Sequence, residues 1–144
     1  MNSHNKAFDE ELHSKYDMLG KWWAYKLFKR YGLRLLENID KYAVDMIAYK
    51  DDIKVGYVEV EVREAWVGEF KWDSLNIPSR KKKLLTNDFP TRLVAFNKNG
   101  SHCFICHDVE ILNSPLEEVK NKYIPEGEMF FKVPLDKIKL VSTK

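Results

Sequence analysis

The residue of this chain that most strongly suggests chemistry is an acid in an apolar setting. Asp45 lies inside residues 42–49 (YAVDMIAY), a run that is otherwise apolar and has the composition of a strand. Aspartate is depleted in strands, and its charge is costly to bury without a partner. We therefore expect a metal ion or a basic side chain to compensate for Asp45.

Two more acids follow in residues 57–63 (YVEVEVR), where Glu59 and Glu61 alternate with valines at 58, 60 and 62. The two-residue period of a strand places both glutamates on one face and the valines on the other. A turn at Asp51 and Asp52 would connect this strand to the one that carries Asp45. If the loop spans the three residues 51–53, Asp45 lies directly opposite Glu59.

Like charges in that position repel each other, and a divalent cation between them removes the repulsion. Oxygen ligands of this kind suit Mg²⁺ or Mn²⁺. Alternating valine and glutamate is also typical of an ordinary half-exposed strand, so the acids at 59 and 61 alone indicate little. The metal-site hypothesis depends on their combination with Asp45.

A run of four cations follows Pro78, at the start of a short helix predicted over residues 80–85. The run consists of Arg80, Lys81, Lys82 and Lys83. Cations at a helix N-terminus oppose the helix dipole, so helix propensity does not account for them. Neutralisation of DNA phosphates would account for these cations, and the alternative is that they are simply a solvated helix start.

Residues 102–107 (HCFICH) contain the string Cys-x-x-Cys-His, which is also the attachment motif of c-type haem. Haem attachment requires export, and residues 1–15 show no apolar signal segment. Zinc would need both sulfur atoms on one side, whereas strand positions three apart point to opposite faces. We therefore expect Cys103 and Cys106 to be buried in a hairpin.

Periodicity predicts the elements that position these residues. The segments are a helix over 6–31 ended by Gly32, strands over 33–39, 42–50 and 54–63, an irregular aromatic stretch over 64–78, a helix over 80–85, a hairpin of 93–96 with 103–107, a helix over 117–122 and a last strand over 129–133. This order indicates an α/β fold with a mixed sheet flanked by helices.

Bulk properties agree with one globular domain over residues 1–144. Apolar residues make up 44% of the 144, enough for a core without disulfides, and the formal net charge of +2 does not itself indicate nucleic acid. No run of 18 apolar residues is present, so we expect no membrane span and a soluble, cytoplasmic protein.

Together these residues resemble the PD-(D/E)XK nuclease superfamily, over roughly residues 6–96. The resemblance implies a restriction-endonuclease-like α-β-β-β-α-β core and metal binding by Asp45, Glu59 and the backbone carbonyl of Val60. Glu61 stands where the superfamily usually has lysine, and a lysine from the next helix, such as Lys81, can take that role. Glu11, or its neighbour Glu10, matches the helical acid that some members direct at the metal.

The function we expect is metal-dependent endonucleolytic hydrolysis of DNA, with Mg²⁺ or Mn²⁺ as cofactor. Asp45 and Glu59 would hold the metal, and Glu61 would hold a second ion or accept a proton from water. Arg80 and one of the lysines 81–83 would stabilise charge on the phosphate. The alternatives are an inactive nuclease fold that binds DNA and a non-enzymatic interaction module. A homodimer is among the partner hypotheses.

Overall fold

A computed structural model describes the backbone of residues 10–40, 42–120 and 127–143, and side chains from Lys15 onward within those ranges. The helices are α1 (Glu10–Lys29), α2 (Lys82–Leu85) and α3 (Asp108–Leu112). The strands are β1 (Arg34–Glu37), β2 (Met46–Lys50), β3 (Ile53–Arg63), β4 (Ser74–Pro78), β5 (Thr91–Asn97), β6 (His102–His107), β7 (Leu116–Val119), β8 (Glu128–Pro134) and β9 (Lys139–Ser142). Within the described ranges no helix has the length and apolarity that a membrane crossing requires.

Helix α1 packs against the central sheet through small residues as well as large ones. A Cβ on Gly20 would lie 3.0 Å from Val62 and 3.1 Å from Val60, so glycine permits the close approach of α1 to β3. Ala24 and Leu27 continue the buried stripe.

The end of α1 is the one predicted from the glycine. Gly32 has a φ of +78°, where a residue with a side chain is strained. Its N–H donates to the Lys29 carbonyl (3.0 Å), and the Leu33 N–H donates to the Phe28 carbonyl (3.0 Å). These two bonds form a Schellman motif, which satisfies carbonyls at the end of the helix and directs the chain into β1.

The central sheet has the strand order β1-β2-β3-β5-β6-β9. Strands β1, β2 and β3 form an antiparallel meander, β5 runs parallel to β3, and β5, β6 and β9 are again antiparallel. A parallel neighbour needs a crossover, and residues 64–90, which include β4 and α2, supply it. The predicted mixed α/β architecture is confirmed, as is the hairpin of residues 93–96 with 103–107.

A second sheet, β4-β8-β7, was not predicted. Residues 64–78 were expected to be irregular but include β4. The helix predicted over 117–122 is wrong for residues 117–119, because Leu116–Val119 is a strand that pairs with β8, and residues 121 and 122 lie outside the described ranges. Three of the four residues of this strand, β7, are exposed, so the sequence shows no alternation of apolar and polar residues that would predict a strand. Helix α3 and strand β9 were also missed, and β8 is therefore not the last strand.

The two faces of the central sheet carry separate cores. Helix α1 covers one face, where Val58 lies in the core and Val60 and Val62 pack against it. The second sheet, α2 and α3 cover the other face with a core around Trp66. The glutamates of β3 alternate with its valines, as predicted, and therefore belong to the face opposite α1.

Candidate active site

Asp45 and Glu59 come together at the start of β2. The register of β2 with β3, in which Met46 faces Val58, continues to place Asp45 opposite Glu59. The backbone N–H of Asp45 donates to Oε1 of Glu59 at 3.3 Å. The N–H of Val60 donates to Oδ2 of Asp45 at 2.9 Å. The predicted pairing of the two acids is therefore present.

The register arises differently from the expected three-residue loop. The turn is a two-residue one, with Asp51 and Asp52 at φ values of +50° and +65°. Such a turn alone would put Asp45 and Glu59 on opposite faces. A β-bulge then leaves Val55 without a partner, since Tyr49 faces Lys54 and Ala48 faces Gly56. That extra residue shifts the pairing by one position and so restores the register in which Asp45 faces Glu59.

The environment of Asp45 opposes its negative charge. Burial, followed by the charge of Glu59, raises the pKa of Asp45 from 3.8 to about 7. The hydrogen bond from the Val60 N–H and the charge of Lys21 lower that pKa but do not offset the rise. Glu59 itself is only 5% exposed. Two acids in a poorly hydrated site are the arrangement that a bound cation stabilises.

Lys81 is the basic side chain that reaches these acids. Its Nζ lies 2.9 Å from Oε2 of Glu59 and 3.7 Å from Oε2 of Glu61. Burial, the largest single influence, lowers the pKa of Lys81, but attraction by Glu59, Glu61 and Asp45 outweighs burial and raises it. Lys81 therefore remains charged, and the crossover segment supplies the lysine that β3 lacks at position 61.

Glu61 is held by a second cation. Nε of Arg63 donates to its Oε1 at 2.7 Å, and both side chains are half-buried. The same guanidinium donates to the backbone carbonyl of Asn76 at 2.9 Å and lies over the ring of Phe104. Arg63 thereby links the carboxylate to β4 of the second sheet, and it was not among the predicted site residues. The sequence feature that could have identified Arg63 is its spacing, because a strand residue two positions after Glu61 lies on the same face as Glu61.

The donor set suits a hydrated Mg²⁺ or Mn²⁺. In the part of the chain that the structure describes, no group of three or more His, Cys, Asp or Glu side chains is arranged to hold a metal. Mg²⁺, however, keeps several waters and binds through one or two carboxylates, which Asp45 and Glu59 can provide with the Val60 carbonyl. Both oxygens of Glu61 already face cations, so the predicted role of Glu61 as a ligand is the least supported of the set.

An open groove leads to Asp45 from the side of α1. It has a volume of about 580 Å³, and Lys21 and Glu37 line it together with Asp45. Lys21 forms ion pairs with Glu37 (2.8 Å) and Asp17 (3.3 Å), and these partners outweigh its partial burial and raise its pKa. Lys21 was not among the predicted site residues.

The remaining predicted cations do not reach the carboxylates. Arg80 is exposed and pairs with Glu128 at 3.3 Å. Lys82 and Lys83 are also exposed. The three side chains surround Lys81 in sequence and present charge to solvent. Glu11 lies in the first turn of α1, but its side chain and that of Glu10 fall outside the described side chains.

The two cysteines do not form a metal site with each other. Cys103 belongs to the core beneath α1, whereas Cys106 belongs to the core on the opposite face of the sheet. Both are free and buried, and burial raises the pKa of each thiol to about 12. This confirms the prediction that positions three apart in the strand separate them.

The aromatic side chains of residues 64–78 differ in exposure. Trp66 is 1% exposed and lies in the core, whereas Trp72 is 48% exposed.

Comparisons of the chain with protein-family models, with curated proteins and with solved structures each found no match. The function is therefore inferred from the geometry of the site formed by Asp45, Glu59 and Lys81.

Proposed function

We propose that this chain is a metal-dependent endonuclease of the PD-(D/E)XK type that hydrolyses phosphodiester bonds in DNA. The observation that carries the proposal is the placement of Asp45 opposite Glu59 with the ammonium group of Lys81 2.9 Å from Glu59. Paired acids with a neighbouring lysine are the functional groups that the resemblance to this superfamily implies.

The architecture supports the same proposal. A helix, a three-stranded antiparallel meander and a crossover to a parallel fourth strand follow each other in the order expected of a restriction-endonuclease-like core. The acids occupy β3 and the residue before β2, and the lysine comes from the crossover. Strands β6 to β9 and α3 add to this core without contributing a proposed catalytic residue.

Each side chain has a role that its surroundings permit. A divalent cation held by Asp45 and Glu59 would polarise the phosphate and lower the pKa of a bound water. Lys81, which stays protonated beside two acids, stabilises the negative charge that develops on the phosphate oxygens. Glu61, oriented by Arg63, lies beside Lys81 and accepts a proton from the attacking water.

The exposed cations next to Lys81 would hold the substrate. Arg80, Lys82 and Lys83 leave the same short segment and can contact phosphates on either side of the scissile bond. Contacts of this kind bring the backbone of DNA to the acids without reading its sequence.

Nicking of a supercoiled plasmid tests the proposal. We expect nicking with Mg²⁺ or Mn²⁺ and none with EDTA. Asp45→Asn and Glu59→Gln should each reduce the rate roughly 100-fold or more, since each removes a charge from the proposed cation site. Asp52→Asn is the matched control, because Asp52 is an exposed turn acid whose ion pair with Arg34 is also exposed.

The alternatives give different results. Duplex binding without cleavage, in all metals tested, would identify an inactive nuclease fold that binds DNA. Absence of both cleavage and DNA binding would favour a non-enzymatic interaction module. Equal nicking by the parent protein and by Asp45→Asn would show that the proposed site is not the source of the activity.

A further inference from the structure

A second cavity lies on the α1 side of the central sheet, away from the acids. It has a volume of about 470 Å³, within the range of roughly 300–1,000 Å³ typical of small-molecule sites. Part of its wall is apolar and is formed by Phe28 and Tyr31 at the end of α1, with Ile105 of β6. The rest of the lining combines three further apolar residues with Lys50, Arg92, His107 and Lys139.

The basic residues converge because of the sheet register. Arg92 of β5 faces His107 of β6, and Lys139 of β9 faces Ile105. Ile105 belongs to the core beneath α1, so the two-residue period directs all of these side chains to that same face. Lys50, at the end of β2, completes the set.

The charge of this cavity is not balanced by nearby acids. Among the residues that the structure describes, no aspartate or glutamate lines the cavity. Within the same ranges, none of Lys50, Arg92 and Lys139 takes part in an ion pair. Arg92 is nevertheless half-buried. A partly desolvated guanidinium without a carboxylate partner favours a bound oxyanion, such as a phosphate, because its planar fork can donate to two oxygens at once.

Inorganic phosphate would contact the basic residues of the cavity but leave its apolar wall without a partner. Tyr31 is 46% exposed, Phe28 packs edge-on against it, and Nζ of Lys139 lies 4.8 Å from the centre of the Tyr31 ring. An aromatic or other apolar group can therefore be buried beside the cations. We propose that this cavity binds a nucleoside monophosphate group, with the phosphate on Arg92, Lys50 and Lys139 and the base against the apolar wall. The source of this group is either a free nucleotide or the terminal nucleotide of a DNA strand.

This site is separate from the proposed catalytic one. Glu59 and Glu61 belong to the opposite face of β3, whereas Val55 at the start of that strand lines the cavity. Binding of a nucleotide here needs no divalent cation. The two proposals can therefore fail independently: EDTA removes the metal-dependent contribution of the catalytic site, and substitutions of Arg92 and Lys139 distinguish this cavity from the exposed cations beside Lys81.

Isothermal titration calorimetry of the full chain in EDTA tests the proposal. The probes are adenosine 5′-monophosphate, adenosine and inorganic phosphate. We expect the monophosphate to bind at one site per chain and each of the other two to bind at least several-fold more weakly. Arg92→Gln and Lys139→Gln should each weaken monophosphate binding roughly 10-fold, because each removes a charge-assisted contact.

Two controls separate binding from folding. Lys98→Gln removes one positive charge from an exposed turn and should leave the affinity unchanged. Lys139 is exposed, so Lys139→Gln keeps the test valid even if Arg92→Gln lowers the melting temperature. A 5′-phosphorylated tetranucleotide that displaces the monophosphate assigns the site to a strand terminus, and failure to displace it assigns the site to a free nucleotide.

Three results would overturn the proposal. They are the absence of monophosphate binding at millimolar concentration, equal affinity for adenosine and its monophosphate, and unchanged affinity in both Arg92→Gln and Lys139→Gln.

Discussion

Replacement of Asp45 by asparagine should stabilise the metal-free protein at pH 8 while abolishing cleavage of DNA. Asparagine keeps the shape of the side chain, and its carbonyl oxygen can still accept the N–H of Val60. The substitution removes the negative charge that burial and Glu59 disfavour. Loss of activity with a gain in stability is the pattern expected of a residue that the fold tolerates for its function.

The size of the gain follows from the pKa. A rise from 3.8 in the unfolded chain to about 7 in the folded protein corresponds to about 4 kcal/mol. Because the folded state holds this proton more tightly, the stability it provides is complete below pH 3.8 and is lost as the pH rises to about 7. Asparagine has no such loss, so we expect its advantage to grow by about 2–3 kcal/mol between pH 5 and 8.

Urea unfolding of both proteins in EDTA, at several values between pH 5 and 9, measures this difference. Other titrating groups are shared, so the difference in the free energy of unfolding reports on Asp45 and on its interaction with Glu59. Asp52→Asn, in the exposed turn, should follow the parent protein at every pH. A parallel pH dependence of Asp45→Asn and the parent, or a lower stability of Asp45→Asn at pH 8, would refute the assigned environment of Asp45.

Three further substitutions test other contacts. Lys81→Met should cost about 3 kcal/mol in urea unfolding at pH 8 and abolish nicking, since it leaves Glu59 buried without a counter-charge, whereas the exposed Lys82→Met should change stability by less than about 0.5 kcal/mol. Equal losses of stability in Lys81→Met and Lys82→Met would contradict the ion pair of Lys81 with Glu59. Glu61→Gln should slow single-turnover cleavage while duplex binding, measured by anisotropy, persists; full activity would exclude Glu61 from catalysis. Gly56→Ala should lower the melting temperature, because its Cβ would lie 2.5 Å from the Pro90 carbonyl oxygen, and an unchanged value would contradict that approach.

The pairing of Asp45 with Glu59 could be predicted from the sequence because residue types restrict it strongly. An acid in an apolar run and acids at alternate positions of a strand leave few registers that satisfy both. The cause of the register could not be predicted. The unpaired Val55 of the bulge looks like any other strand valine, and only the strand pairing shows that it compensates for the two-residue turn.

The choice of Lys81 among its neighbours also required the structure. Three consecutive lysines are equivalent in the sequence, and the direction of each depends on the 3-10 turn Ser79–Lys81 that precedes α2. The second sheet was missed for a related reason. Strand β7 is short and mostly exposed, so its pairing with β8 decides its conformation more than its own residue preferences do.

A crystal structure with Mn²⁺, located by its anomalous scattering, tests Asp45 and Glu59 as a divalent-cation site most directly. We expect one peak at roughly 2.0–2.3 Å from a carboxylate oxygen of each acid and from the Val60 carbonyl, with the ammonium group of Lys81 displaced from Glu59. The same peak should be absent from crystals of Asp45→Asn. An empty site at millimolar Mn²⁺, or a peak bound elsewhere while the Lys81–Glu59 ion pair stays closed, would contradict the proposed metal centre.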